Sequence, residues 1–300
     1  MLVGVTGATG LVGRQLIAGL LRDGHAVRAF ARRPAALPEG ASFAPWDTAQ
    51  GPPAEPALTG LDALVHLAGE PVAQRWTVDV KRRIRASRVD GTRRLVEGLS
   101  TISARPPVLV SASAIGYYGD RADKMLSESA KPGHGFLPET CVEWERMADL
   151  GEALGIRVVK LRIGVVLDPR GGALAKMLPP FRAGVGGRVG SGKQWMSWIH
   201  RDDLVSLIRF AIESSTLRGP VNATAPNPET NSGFSLQLGR ALRRPALFPL
   251  PALALKLLFG EMSEVLLASQ RVIPKAATDA GFAFRFPALP AALADLLGRA

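Results

Sequence analysis

A glycine-rich turn at the start of the chain constrains the fold more than any other stretch. An apolar run over residues 2–5 indicates a buried strand, and Gly7, Gly10 and Gly13 follow it at intervals of three. Apolar residues then recur at helical spacing through Leu21. In such a unit the first glycine turns the chain, the second lets the backbone approach a pyrophosphate, and the third lets helix pack on strand. The order strand, turn, helix therefore predicts dinucleotide binding, with the diphosphate over the helix N-terminus.

Composition narrows the class of protein further. Of the 300 residues, 47% are hydrophobic and 21% charged, which argues against disorder and allows a substantial core. No apolar run is long enough to span a bilayer, and the strand and glycine turn begin so early that we expect no cleavable leader. Cys141 is the only cysteine and the four histidines are dispersed, so we expect neither a disulfide nor a metal site. We predict a cytoplasmic protein that does not bind membranes.

The net charge of +11 raises the question of nucleic-acid binding. Most of the surplus is scattered arginine. One dense cluster falls on a single predicted helix and comprises Lys81, Arg82, Arg83, Arg85, Arg88, Arg93 and Arg94. Such a cluster is usually a solvated face and sometimes a phosphate site, and no nucleic-acid-binding motif accompanies it. We therefore expect no nucleic-acid partner. A nucleic-acid-binding protein would instead show DNA binding that falls steeply with salt and ignores NADP.

The second predicted strand, residues 26–31, ends in Arg32 and Arg33. This end of the strand is where a dinucleotide fold meets the adenosine ribose, and an acidic residue there selects NAD through the free 2′-hydroxyl. Guanidinium groups are instead shaped to pair with a 2′-phosphate. The two arginines predict NADP (NADPH) as the cofactor.

Strands and helices alternate through about residue 165, which predicts an α/β fold with a doubly wound parallel sheet of the Rossmann type. The predicted elements after the second strand are a short strand near residues 43–46, strands over 61–69, 108–113 and 156–163 (continued by 164–167), and helices over 78–99 and 138–154. We assign residues 1–165 to an NADP-binding domain, to which later segments return. Residues 166–300 are predicted to form a smaller substrate-side cap with a small C-terminal helical region.

Several longer motifs resemble the short-chain dehydrogenase/reductase superfamily, in its extended, sugar-nucleotide-epimerase-like branch and its atypical "epimerase family protein" subgroup. The motifs that carry the resemblance include Leu67-Ala68-Gly69-Glu70-Pro71, Ser111-Ala112-Ser113-Ala114-Ile115-Gly116-Tyr117-Tyr118-Gly119, Gln194-Trp195-Met196-Ser197-Trp198-Ile199-His200 and Ser269-Gln270-Arg271-Val272-Ile273-Pro274. The likeness covers nearly the whole chain and includes that subgroup's small C-terminal domain.

The resemblance implies roles for individual residues. It assigns the diphosphate to Gly7, Thr9, Gly10, Leu11, Val12 and Gly13, and the 2′-phosphate to Arg32. It places Leu67, Ala68 and Gly69 along the adenosine ribose and bridging phosphate, and Val166 near the nicotinamide carboxamide. It also implies that Arg88, with Arg83, reaches the cofactor from the long helix.

The family's catalytic pair is missing from this chain. Ordinary members carry Tyr-x-x-x-Lys on the helix after the serine strand, where lysine lowers the pKa of the tyrosine. The matching positions here hold Cys141 and Glu145. A carboxylate raises the pKa of a neighbouring acid instead of lowering it, so the usual hydride-transfer machinery is absent.

Other side chains are candidates for the polar chemistry. Ser113 matches the family's catalytic serine, and the phenol of Tyr117 or Tyr118 is a candidate acid. Cys141 is a candidate acid/base or nucleophile, although a buried, inert cysteine is the preferred interpretation. Trp195, Trp198 and His200 are candidates to line a substrate cleft or, equally, to pack between domains.

These features predict an NADP-dependent oxidoreductase or epimerase whose small-molecule substrate is unidentified, with a sugar nucleotide as one candidate. The rival hypothesis is an NADP(H)-binding sensor without turnover, which the loss of Tyr-x-x-x-Lys favours. The resemblance also leads us to expect a homodimer through the helices near residues 79–99 and 138–154.

Overall fold

The computed structural model describes residues 1–34 and 37–298, and thirteen strands lie within them. The strands are β1 (Leu2–Thr6), β2 (Ala26–Ala31), β3 (Ser42–Pro45), β4 (Ala63–His66), β5 (Val108–Ala114), β6 (Met125–Leu126), β7 (Arg157–Ile163), β8 (Val165–Asp168), β9 (Trp195–Met196), β10 (Trp198–His200), β11 (Gly219–Ala223), β12 (Glu229–Thr230) and β13 (Arg271–Val272). Seven of them form one sheet in the order β11-β7-β5-β4-β1-β2-β3, and every pair in it is parallel.

Eleven α-helices are found in the same described residues. They are α1 (Leu11–Arg22), α2 (Glu55–Leu58), α3 (Val78–Thr101), α4 (Phe136–Asp149), α5 (Gly172–Arg182), α6 (Arg201–Glu213), α7 (Asn231–Leu242), α8 (Ala252–Phe259), α9 (Ser263–Leu267), α10 (Lys275–Asp279) and α11 (Leu289–Leu296). Helices α1 and α6 bury leucines and isoleucines against one face of the sheet, and α3 and α4 cover the other. None of the described helices is both long enough and apolar enough to cross a membrane.

The strand order confirms the predicted doubly wound parallel sheet. The chain leaves β1 toward β2 and β3, and then crosses back to place β4 on the other side of β1. Ligands of open α/β sheets bind beyond the carboxyl ends of the strands at such a switch point. The ends of β1 and β4, at Thr6 and His66, are therefore the expected position of a site.

Two predicted elements are divided in the structure. Residues 164–167 do not continue β7, and Gly164 lies so close to Ser197 that a Cβ added there would be 2.6 Å from its carbonyl oxygen. The Gly164 N–H still bonds Ala223 of the large sheet, whereas the Val165 N–H bonds Ser197, and β8 pairs with β10 instead. The predicted helix over 138–154 likewise ends at Asp149 and is followed by a separate turn of 3₁₀-helix.

Segments beyond residue 165 contribute to two regions. Helix α6 and strand β11 belong to the large sheet and its core. Helices α5, α7 and α11 surround a second apolar core that contains Trp198 and Phe234. This smaller region includes β8, which follows β7 directly after Gly164.

Candidate functional site

The glycine turn between β1 and α1 has two glycines that the local packing requires. Gly7 has φ +65°, and a Cβ there would lie 2.6 Å from the carbonyl carbon of Leu67. A Cβ at Gly13 would lie 2.3 Å from the carbonyl oxygen of Gly7. Larger residues at these positions would push the turn away from β4 or from α1. Gly7 and Gly13 therefore fix the shape of the loop.

Gly10 differs from the other two glycines because the protein itself leaves room for a side chain. It has ordinary extended backbone angles, and a Cβ added there would meet one described atom within 4 Å, the Gly7 oxygen at 3.2 Å. Gly10 is also the N-cap residue of α1, and no side chain of the described residues caps this helix. The N–H groups of the first turn, on Leu11, Val12 and Gly13, therefore suit an external anion. Thr9 is exposed beside them.

The end of β2 carries exposed positive charge. Arg32 and Arg33 are both exposed, and among the described residues neither makes a hydrogen bond or an ion pair. Arg28, on the same strand, contrasts with them because its guanidinium donates to the carbonyls of Pro56, Ala57 and Thr59. The two predicted 2′-phosphate ligands are therefore available to an external partner.

A buried hydrogen-bond chain holds the turn after β4. The Thr6 hydroxyl oxygen accepts from the N–H groups of Leu67 and Ala68, at 3.1 and 3.2 Å. The Thr6 hydroxyl therefore donates its own hydrogen bond to His66 Nδ1, 2.7 Å away. Because Nδ1 accepts, the ring proton is on Nε2, which donates to the Thr92 hydroxyl at 3.0 Å. Burial lowers the pKa of His66 to about 4, so the ring is neutral. The chain therefore fixes the small-residue turn against the glycine loop.

Arg88 reaches the turn after β4 from α3. Its guanidinium carbon would lie 3.3 Å from a Cβ on Gly69, and its Nη1 donates to the carbonyl of Glu70 at 2.9 Å. The guanidinium also lies over the Trp144 ring, 5.2 Å from its centroid, and burial lowers the pKa of Arg88. Arg83 stays at the surface, with its Nε 3.6 Å from a Glu70 oxygen. The structure thus brings Arg88, and not Arg83, to the end of β4.

Val166 lies on β8, where the chain turns toward the glycine loop. A Cβ at Gly172 would lie 3.6 Å from the Val166 oxygen. A Cβ at the adjacent Gly171 would lie 2.9 Å from the Leu11 side chain. Gly171 and Gly172 therefore lie in space between Val166, which is predicted to contact the nicotinamide, and Leu11 at the start of α1.

The residues at the family's tyrosine and lysine positions lie side by side in the interior. Cys141 is 3% exposed, and burial, reinforced by the charge of Glu145, raises the pKa of its thiol to about 12. The thiol is therefore protonated at neutral pH, so Cys141 is neither a thiolate nucleophile nor a proton shuttle near neutrality.

Glu145 is the centre of a buried charged network. Arg162 on β7 binds it with both forks of its guanidinium, Nε to Oε1 and Nη2 to Oε2, each at 2.8 Å. The Ser113 hydroxyl donates to Oε1 at 2.7 Å. Burial opposes the charge of Arg162, but the bonds and attraction of Glu145 outweigh it and raise the pKa of the guanidinium. Glu145 is therefore a paired interior carboxylate and not a surface charge.

Arg162 is a residue that sequence reasoning did not select. The strand over 156–163 alternates basic and apolar residues, and a basic residue in a strand buried on both faces needs a buried acid as its partner. That signal is present, and Glu145 lies on α4, the helix that precedes this strand. What the pattern could not give is the pairing, since it depends on how α4 lies across β7.

The two tyrosines after β5 have different environments. Tyr118 is fully buried, donates to Asn222 Oδ1 at 2.7 Å, and accepts from Arg162 at 3.0 Å. Burial raises its pKa. Tyr117 is half-buried, its ring centroid is 3.5 Å from the Arg162 guanidinium carbon, and its hydroxyl makes no hydrogen bond to another described residue. Tyr117 therefore keeps a free phenol proton beside the network, and Tyr118 does not.

The three residues predicted to line a substrate cleft, Trp195, Trp198 and His200, have different environments in the structure. Trp195 is part-exposed, with its indole N–H donating to Asp123 and Arg271 over its ring. Trp198 and His200 have no exposed surface, contrary to a role in lining an open cleft. Trp198 belongs to the smaller core. His200 stacks on Phe286 at 3.9 Å and accepts from the Asp202 N–H at its Nδ1. Of the three, Trp195 alone remains a candidate for substrate contact.

Comparison with known families identifies two matched regions. Residues 3–223 match the NAD dependent epimerase/dehydratase family, and residues 250–296 match a domain of unknown function, DUF1731. The chain is 41% identical over 302 residues to the epimerase family protein SDR39U1 homolog, chloroplastic, of Arabidopsis thaliana. That alignment covers 99% of this chain and 87% of the relative.

Two solved structures are similar over the whole chain. The crystal structure of human epimerase family protein SDR39U1 with NADPH superposes with a TM-score of 0.88 at 33% identity, covering 100% of both chains. The nucleoside-diphosphate sugar epimerase of Corynebacterium glutamicum superposes with a TM-score of 0.79 at 36% identity. That match covers 99% of this chain and 58% of the other.

Proposed function

The chain belongs to the NAD dependent epimerase/dehydratase family, and on that premise we propose that it is an NADP(H)-dependent oxidoreductase or epimerase acting on a small molecule. The observation that carries the proposal is the pairing of an uncapped helix N-terminus at Gly10 with two free arginines at the end of β2. A first-turn site for a diphosphate and a guanidinium site for a 2′-phosphate are what NADP(H) requires. The NADPH bound to the human relative supports the same cofactor.

Different segments of this chain would hold different portions of the cofactor. The first turn of α1 would hold the diphosphate, Arg32 and Arg33 the 2′-phosphate, and the turn 67–69 the adenosine ribose. Val166 would lie along the nicotinamide. When bound, the nicotinamide supplies hydride transfer. The protein must then position the substrate oxygen and move its proton.

Tyr117 is the proposed proton donor, by comparison with its neighbours. The Ser113 hydroxyl donates its hydrogen bond to Glu145, and the Tyr118 hydroxyl donates its hydrogen bond to Asn222. The Cys141 thiol is buried and has a pKa of about 12. Of the three hydroxyl groups compared, that of Tyr117 alone donates no hydrogen bond to a described residue, so its proton is available to a substrate. Because the Ser113 hydroxyl already donates its hydrogen bond to Glu145, its oxygen has only lone pairs left for the substrate, so it would accept a hydrogen bond from a substrate hydroxyl and orient it.

Arg32→Ala tests the choice of cofactor. We expect the variant to weaken NADPH binding about 10- to 100-fold, because one charge-assisted phosphate contact is lost. NADH has no 2′-phosphate, so its affinity should stay within about twofold. Calorimetric titration of wild type and variant with NADPH, NADP, NADH and NAD measures both effects. Arg28→Ala removes a guanidinium from the same strand and serves as the matched control. An equal loss of NADPH and NADH affinity in Arg32→Ala would remove the 2′-phosphate assignment.

Tyr117→Phe tests the proton donor. The NADPH-loaded protein is first screened with nucleotide sugars and simple carbonyl compounds, because the Corynebacterium relative is a nucleoside-diphosphate sugar epimerase. On any substrate found, we expect kcat to fall about 100- to 10,000-fold with KM and NADPH affinity little changed. Ser113→Ala, whose hydroxyl orients but does not donate, should lower kcat less. Wild-type turnover by Tyr117→Phe would exclude the phenol as donor.

A second candidate function is cofactor binding without turnover. It is favoured by one observation, that Arg162 already pairs with Glu145 where the family has its lysine. Tight NADPH binding with neither a change in nicotinamide absorbance nor a new product on chromatography across the whole panel, in wild type and Tyr117→Phe alike, would support this candidate over the enzyme.

A further inference from the structure

The groove between α1 and α6 is lined by arginines, and none of its lining residues is one assigned to the cofactor. Its volume is about 560 Å³, and five guanidinium groups border it, those of Arg22, Arg170, Arg201, Arg209 and Arg285. Arg22 lies on α1, while Arg201 and Arg209 lie on α6. A convergence of five side chains from four segments of the chain produces a strongly positive concave surface.

The positive charge of the groove is only partly neutralised. Asp168 accepts from Arg170 at 2.9 Å and from Arg201 at 3.2 Å, and Asp23 lies 2.6 Å from Arg209. Asp202 borders the groove as well, 3.4 Å from Arg201. In the part of the chain that the structure describes, Arg22 and Arg285 form no ion pair. Among these described residues five cations face three carboxylates, which leaves an excess of two positive charges.

Two buried donors at the groove form no hydrogen bond. The Nε atoms of Arg201 and Arg209 are inaccessible to solvent and make no hydrogen bond to a described residue, although the Arg201 Nε lies 3.4 Å from an oxygen of Asp202. Because an external acceptor cannot reach these two atoms as they stand, an anion would bind through the outer nitrogens of the guanidinium groups, and the ion pairs with Asp202 and Asp23 would have to shift before either Nε could take part. The excess charge of the groove is therefore the main reason to expect an anion there.

The remaining lining residues indicate the shape of the ligand. The apolar members are Ala18 and Val205, and the neutral polar ones are Gln15 and Ser206. An aromatic ring that could stack on a nucleotide base is missing from this lining, whereas guanidinium forks match phosphate oxygens in pairs. A compact anion suits the groove better than a nucleotide.

We propose that the α1–α6 groove is a second anion-binding site, which takes a compact anion with two or more phosphate groups. Gly171, which follows Arg170, packs on Leu11 in the first turn of α1, so one end of the groove adjoins the cofactor's diphosphate site. The lining residues of α1, Gln15, Ala18 and Arg22, share one face of the helix, and its buried residues, among them Gly13 and Leu16, lie on another. The two sites can therefore be occupied together. Free polyphosphate and the phosphorylated end of a small metabolite share this chemistry.

Calorimetric titration of the NADPH-saturated protein tests the proposal. The probes are tripolyphosphate, a sugar bisphosphate, and citrate as a carboxylate of similar charge. We expect one polyphosphate per chain in wild type, and binding about 100-fold weaker in Arg22→Ala/Arg285→Ala, which removes the two unpaired charges. Preference for the sugar bisphosphate over tripolyphosphate would identify a metabolite as the source of the phosphates.

The matched control is Arg82→Ala/Arg240→Ala, which removes two exposed arginines elsewhere and should stay within about twofold of wild type. Arg22 and Arg285 are both exposed, and Arg22→Gln alone supplies a second variant if the double variant unfolds. No binding to wild type, equal weakening in both double variants, citrate binding as tight as tripolyphosphate, or binding only in NADPH-free protein would each overturn the proposal. NADPH affinity, measured in parallel, should be the same in all variants, which separates this test from that of the proposed function.

Discussion

Gly10→Val is expected to lower NADPH affinity by at least about 100-fold while the protein remains folded. The valine side chain would occupy the space over the first turn of α1, where several charge-assisted bonds to a diphosphate would otherwise form, each contributing about 1.5–3 kcal/mol. The backbone itself permits the change, because Gly10 has φ −75° and ψ 172°, angles that a β-branched residue adopts readily. The measurement is calorimetric titration with NADPH, accompanied by urea unfolding of the same variant.

Two other glycines of the same region are the controls. Gly19→Ala lies in the middle of α1, where a Cβ meets only Val205 at 3.6 Å and the end of the Arg22 side chain at 3.9 Å, so it should bind NADPH normally and unfold at slightly higher urea. Gly13→Ala should instead lose stability, because its Cβ would overlap the Gly7 carbonyl. Normal NADPH affinity in a folded Gly10→Val variant would mean that the glycine turn serves the architecture alone.

The parts of the candidate site that could be predicted from the sequence are those that depend on residues close together in the chain. The glycine turn, the helix after it and the arginines at the end of β2 are local features, since all three lie within the first 33 residues. Their roles follow from the order of elements along the chain. The same holds for the centre of the parallel sheet, where β1 and β4 are buried along almost their whole length and appear as nearly continuous apolar runs.

The parts that sequence reasoning missed depend on contacts between distant segments. Glu145 and Arg162 pair only because α4 crosses β7, and Ser113 joins them from β5. Trp198 and His200 lie in a motif that suggested a cleft, yet β8 and Phe286 enclose them completely. Periodicity predicts that such residues face inward, but it does not distinguish a ligand cavity from a packed core.

Breaking the Glu145–Arg162 pair is expected to produce the largest loss of stability of any substitution considered. Glu145→Ala leaves a guanidinium whose side chain is 3% exposed without a counter-charge, and removing one partner of such a pair costs about 3–5 kcal/mol. Ser113 and Tyr118 are bonded to the same two residues, so their geometry should loosen as well. Urea unfolding followed by circular dichroism measures the free energy of unfolding. The matched control is Glu143→Ala on the same helix, whose exposed ion pair with Arg85 should contribute less than about 1 kcal/mol.

The double variant Glu145→Leu/Arg162→Leu distinguishes a coupled pair from two independent contributions. Because neither charge is then left alone, we expect it to be more stable than either single variant, and a loss equal to the sum of the single losses would contradict the coupling. The same coupling bears on the family's missing lysine. Glu145→Lys alone would set an ammonium against the Arg162 guanidinium in the interior, so it should be at least as destabilising as Glu145→Ala. We therefore expect Glu145 and the buried arginine on β7 to act as one unit, so that a lysine at position 145 would also require replacement of Arg162.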